Sequence, residues 1–193
     1  MAILGENVET PRELYVHQLG AALKMENKIL EMLPQLEEEA QDGQLQKDLK
    51  KHQQETRAHV RNLEQVFRAL GEEPDEQACP TIEGLEKEGQ SMLGKVDESL
   101  NDAVILSAVV ETEAHEIAVY DGLITVAEAM DDQDIVALLR GLATDRGLGA
   151  GAEALRQAHR PALVGAARRI VTERVRPARP DPFLWTQGAM MPS

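Results

Sequence analysis

"GEEPDEQACPTIEGLEKEGQSML" runs from Gly71 to Leu93 and separates two pairs of long periodic segments. Its first half is acidic and punctuated by Pro74 and Pro80; its second half reads as a short helix. On either side, apolar residues recur every three or four positions, which predicts four long helices. The first runs from Thr10-Pro11 to about Glu39, the second from Gly43 to Leu70, the third from Glu98 to Met130 and the fourth from Gln133 to His159. Thr10 is a cap residue and Pro11 suits a first helical turn. Pro34 is expected to bend the first helix or to end its regular part. Only a few residues join the first helix to the second and the third to the fourth, so each pair is expected to be an antiparallel hairpin. The connection from Gly71 to Asp97 is different. It is long enough to return along a helix on the order of 40 Å in length. Such a return is the crossover of a ferritin-like bundle, whereas an up-down-up-down bundle needs none. The fold class is therefore all-α: a ferritin-like four-helix bundle over residues 1–160, with a long crossover between the second and third helices that contains a short helix. Residues 161–193 form a basic, proline-rich C-terminal extension.

Composition narrows the function. At 193 residues the chain suits one domain with some excess. Aromatics are 3% of the residues, so the core must be built from Leu, Ile, Val, Ala and Met, which favours close-packed helices. A net charge of -14 argues against nucleic acid as a partner and against an anionic membrane surface. The charge is uneven: Arg140 to Ser193 carries 9 Arg and 4 acids, leaving 11 basic and 30 acidic groups before it. That asymmetry suits contact between subunits. No apolar run is long enough to span a bilayer, and "MAILGENVET" lacks the layout of a signal peptide. A single cysteine, Cys79, excludes an internal disulfide framework. The expected setting is the reducing cytoplasm. In the extension, "ALVGAARRIVTERVR" reads as a short basic helix, and "PARPDPFLWTQGAMMPS" holds Phe183 and Trp185. The final stretch is expected to be irregular, packed on its own bundle, docked on a neighbouring subunit or mobile.

Acids interrupt the apolar seams. The first helix reads Leu19, Leu23, Glu26, Leu30, Leu33, and the third reads Ala103, Leu106, Val110, Glu113, Ile117, Tyr120, Ile124. Glu116 shares the side of Glu113, whereas Glu111 points elsewhere. The second helix places His52, Thr56 and His59 on its seam, with Glu55 within helical reach of both imidazoles. The fourth places Asp145 inward. Each insertion falls near mid-helix, so all can meet at one level. One Glu on a seam more often sits at its edge and reaches water, and one His on a seam is more often a satisfied core residue. Coincidence across four helices is what favours a site. A buried carboxylate without a partner costs several kcal/mol, and several together repel unless protons, arginine or cations intervene. Two divalent metals bridged by carboxylates and capped by imidazole are one solution. Oxygen-rich ligation with one or two nitrogens suits iron or manganese better than zinc. Hydrolytic catalysis has little support: there is no serine elbow and no phosphate loop, and "GLGAG" has no preceding strand.

The segments "RELYVHQLGAALKMENKILEMLPQL", "HQQETRAHVRNLEQVFRALGEEP", "CPTIEGLEKEGQSML" and "ETEAHEIAVYDGLITVAEAM" together resemble the YciE/YciF family of bacterial ferritin-like stress-response proteins. The resemblance covers roughly Thr10 to Arg160. It implies a bundle that pairs into a homodimer and carries a potential dinuclear metal site, with no defined reaction; any reaction would be di-metal redox chemistry. Glu26 matches the acid of the family's first helix, and His52 and Glu55 match the His-x-x-Glu of its second. His59 stands where Gln is common, and Glu113 and Glu116 match the paired acids of the third helix. Ala114 and His115 replace the usual His and Tyr. The fourth helix departs further. In place of a Glu-Glu-Lys type of stretch, this chain has "GLATDRGLGAGAEAL", with four glycines from Gly141 to Gly151. Each costs roughly 1 kcal/mol relative to alanine inside a helix. Only Asp145 remains as an inward acid, and Arg146 follows it at once. Two readings stay open: a stress-associated protein with an iron or manganese site that is degenerate on the fourth helix, or a metal-free dimeric module in which Arg146 neutralises the acidic centre.

Overall fold

Thr10 starts the first helix by the chemistry its sequence announces. The Glu13 amide donates to Thr10 Oγ1 at 3.1 Å, and the Thr10 amide donates to Glu13 Oε2 at 3.0 Å. Backbone hydrogen bonds from Glu9 and Thr10 hold the Glu13 carboxyl below the usual range. The structure is a computed structural model and describes residues 8–144. Helix α1 spans Pro11–Glu39, α2 Gly43–Ala69, α3 Pro80–Leu93, α4 Asn101–Ala129 and α5 Gln133–Thr144. A single 3-10 turn, Glu98–Leu100, leads into α4. The first three long segments and the short crossover helix thus take the expected places, and the fourth begins at Gln133 as expected. The later part of the fourth helix, Asp145, Arg146 and the 161–193 extension lie outside the described residues. Pro34 does not end α1. It faces outward, where the carbonyl that loses its N–H partner can turn to water.

Asp42 caps α2, accepting from the amides of Gln44 at 2.7 Å and Leu45 at 2.9 Å. The helix ends where Gly71 enters the left-handed region at φ 73°, and the Glu72 amide reaches back to the Phe67 carbonyl at 3.0 Å. The chain then runs along α1. Glu76 accepts from Asn27 Nδ2 at 2.7 Å and pairs with Lys24 Nζ at 3.0 Å. Gly20 permits this approach: a Cβ there would lie 2.5 Å from Gln77 Cγ and 2.6 Å from the Asp75 carbonyl oxygen. Buried Ile82 anchors α3, and Lys28 Nζ reaches Glu86 at 3.3 Å. At the far end, Asn101 Nδ2 donates to Glu39 Oε2 at 3.0 Å, which fastens the start of α4 to the end of α1.

α1 packs on α2 and α4, and α5 packs on the same two helices, closing a four-sided bundle. α3 lies outside it, against α4 and α1. This is the crossover arrangement, and it makes α1 and α2, and likewise α4 and α5, hairpin neighbours. α4 is apolar over much of its circumference, with half-buried Val104, Val110, Ile117 and Ile124 beside its buried seam. A helix of that kind is one covered on several sides. Among the described residues, no helix is long and apolar enough to cross a membrane.

Candidate metal centre

Three helices bring five titratable side chains to the middle of the bundle. Glu26 comes from α1, His52 and His59 from α2, and Glu113 and Glu116 from α4; all five are buried, Glu26 and Glu116 completely. Helical spacing explains the placement. His52 and His59 are two turns apart on one stripe of α2, and Glu113 and Glu116 are i,i+3 neighbours on α4. His59 Nδ1 lies 3.2 Å from Glu26 Oε1. His52 Nδ1 lies 3.2 Å from Glu113 Oε1, and its Nε2 lies 4.0 Å from Glu116 Oε2. The Tyr120 hydroxyl donates to Glu26 Oε1 at 2.7 Å, and the Tyr120 ring meets the His59 ring edge-on at 6.0 Å between centroids. Between the two histidines, Thr56 spends its hydroxyl on the His52 carbonyl at 3.0 Å.

The donor atoms fall into two overlapping sets. One is Glu26, His59 and Glu116; the other is His52, Glu113 and Glu116. Within each set the ligand atoms lie within 4.8 Å of one another. Each set offers one imidazole nitrogen and two carboxylates, and Glu116 belongs to both. The donor chemistry fits a hard or borderline divalent ion: oxygen-rich, with imidazole and no thiolate. The bundle also supplies an apolar surround. Ile29 and Leu33 of α1 and Leu63 and Val66 of α2, all buried, continue the two helices away from the polar level.

Glu55 stands apart from both sets. The structure does not bring it into either set; it is partly exposed and pairs with Lys51 at 3.1 Å. The reason is angular. Residue 55 lies on the shoulder of the stripe that carries positions 52, 56 and 59, next to the solvent side that carries Lys51. Glu111 faces water as expected and accepts from Ser107 Oγ at 3.1 Å. Asp145 lies outside the described residues. One turn beyond Glu116, Tyr120 is close enough by sequence to bear on redox chemistry, although core packing is its stronger reading there; the structure does both, burying the ring and bringing the hydroxyl to Glu26. His115 turns away from the cluster to the crossover, where its Nε2 lies 3.8 Å from Cys79 Sγ. Burial holds the His115 imidazole below its ordinary pKa, which favours the neutral ring.

Comparison with known proteins agrees with this architecture. The family described as Domain of unknown function (DUF892) matches residues 10–157. Protein YciF of Escherichia coli (strain K12) is 24% identical over 136 residues, covering 69% of this chain and 82% of the relative. The solved structure of YcfI from Rhodopseudomonas palustris superposes with a TM-score of 0.75 at 32% identity, covering 80% of this chain and 98% of that one. The crystal structure of the E. coli stress protein YciF superposes with a TM-score of 0.72 at 22% identity, covering 78% and 95%. The chain belongs to the DUF892 family, that of the YciE/YciF proteins.

Proposed function

We propose that this member of the DUF892 family holds a pair of iron or manganese ions in the middle of its bundle. The observation that carries the reading is the sharing of Glu116 between two sets of one histidine and two glutamates. Glu26 and His59 would serve one ion, Glu113 and His52 the other, with Glu116 between them. Three buried carboxylates on one level repel one another in low dielectric, and divalent charge offsets that repulsion. Tyr120 fixes one oxygen of Glu26 and so presets its rotamer. Bound there, such ions would supply redox chemistry, for which no substrate is assigned. The setting proposed is a cytoplasmic homodimer associated with stress, the last by analogy with YciF, a stress protein of E. coli. The test is metal analysis of protein from iron- or manganese-supplemented cells. About two ions per chain are expected, one for each donor set. Glu26→Ala should lose part of the metal and Glu116→Ala nearly all of it. Wild-type protein at background metal content would contradict the reading.

The glycine-rich sequence from Gly141 to Gly151 favours a second reading, in which Arg146 takes the place of the metal. In that case Arg146→Ala would destabilise the fold strongly, because it leaves buried carboxylates uncompensated. In the metal reading the same variant would bind metal at least as well as the wild type.

A further inference from the structure

The outer surface of the crossover carries an apolar trough that the metal centre does not use. On one side of α3, a groove of about 300 Å³ is lined by Met32 and Leu36 of α1 and by Leu85 and Leu93 of α3. On the other side, a groove of about 390 Å³ is lined by Met92, Val96, Leu100 and Val104. The two meet at Leu85, Gly89 and Ala108. A Cβ on Gly89 would lie 3.7 Å from the Ala108 Cβ, so the small residues keep the floor low. Met92, at 43% exposure, is one of the few large apolar side chains on the described surface. Among the described residues, the charged groups lining both grooves are all acids: Glu39 and Glu86 on one side, Glu88 and Glu111 on the other.

We infer that this trough receives the chain's own C-terminal segment, Pro161–Ser193, with Phe183, Leu184 and Trp185 seated in it. Charge complementarity carries the assignment. The segment holds five arginines against two acids, the reverse of the acidic rim, and its aromatic cluster matches an apolar floor. A second copy offering the same face would set its acids against these acids, which disfavours that occupant. Reach is ample. With the fourth helix read to His159, the chain from there to Phe183 still spans up to about 80 Å at ~3.3 Å per residue, while α4 is on the order of 43 Å long.

Trp185 is the one tryptophan of the sequence, so its fluorescence reports on this segment alone. In the full-length protein the emission should be blue-shifted and shielded from iodide compared with a synthetic peptide of residues 177–193. The shielding should not change on dilution. Gly89→Glu and Met92→Glu, two changes at the trough surface, should each restore peptide-like emission and raise iodide quenching several-fold, with far-UV helicity unchanged. Peptide-like emission in the wild type would overturn the inference. So would shielding that survives both substitutions, or shielding that disappears on dilution, which would place Trp185 on another copy.

Discussion

Where α1 begins and α2 ends, the bundle interior is Tyr15, Leu19, Leu63, Phe67 and Leu123, packed in one hydrophobic cluster. Two turns along the same helices it is Glu26, His59, Glu113 and Glu116, equally buried. The helices do not change; the rule for filling the space between them does. Apolar burial returns roughly 25 cal/mol per Å² and needs no specific partner. A carboxylate at the same depth costs several kcal/mol until something positive or protic meets it. The one polar hydroxyl at the apolar end, that of Tyr15, shows the same physics in reverse: burial, then the charge of Asp132, pushes its pKa up and keeps it neutral. The flanking apolar layers supply stability without specific partners, and the middle layer sets its acids beside imidazoles and the Tyr120 hydroxyl.

The comparison can be broken at either layer. Phe67→Ala opens the apolar end and should cost about 3–5 kcal/mol in chemical denaturation, yet leave the metal content of the folded protein unchanged. Metal should act only on the middle layer. Mn(II) or Fe(II) at about a hundred times its Kd should stabilise the wild type by about 2.7 kcal/mol and leave Glu116→Ala unaffected. Without metal, the metal reading expects Glu116→Ala to be about as stable as the wild type. A loss of about 3–5 kcal/mol there would instead identify Glu116 as the partner of a buried cation from the protein itself. Outside both layers, Gly20→Ala should cost about 1–3 kcal/mol, since the crossover must move away from α1. The smallest effect is electrostatic. Lys24 and Asn27 hold the Glu76 carboxyl below its ordinary pKa, so its contribution is present above the unfolded value and is lost as the pH falls through the folded one. Glu76→Gln should be less stable than the wild type by about 0.2–1 kcal/mol at neutral pH and equal to it in acid, as read from the denaturation midpoint against pH.

The fold was legible because its signals are periodic and its breaks are chemical. Thr10, Asp42 and Gly71 mark helix ends by hydrogen bonding and by backbone conformation, and the length of the Gly71–Asp97 connection separates the crossover bundle from its simpler alternative. The site was legible where the angle was unambiguous. Glu113 and Glu116 straddle the centre of the α4 seam, and Glu111 falls on the opposite side. Glu55 was not, because an i,i+3 neighbour of His52 can stand on either shoulder of a stripe and only the packing of α2 against α1 and α5 decides which. α4 blurred its own seam for the same reason: Ile117 and Ile124 suit a core, yet Leu123 and Ala127 are the residues buried. The contact of Tyr120 with Glu26 joins residues 94 positions apart in the chain, which no helical periodicity encodes.

Electron paramagnetic resonance of the Mn(II)-loaded protein tests the shared role of Glu116 most directly, because two ions joined by one carboxylate are magnetically coupled. A spin-coupled pair in the wild type that gives way to isolated Mn(II) or to none in Glu116→Ala is the expected result. Isolated Mn(II) alone in the wild type, or a coupled signal that persists without Glu116, would contradict a centre built around that residue.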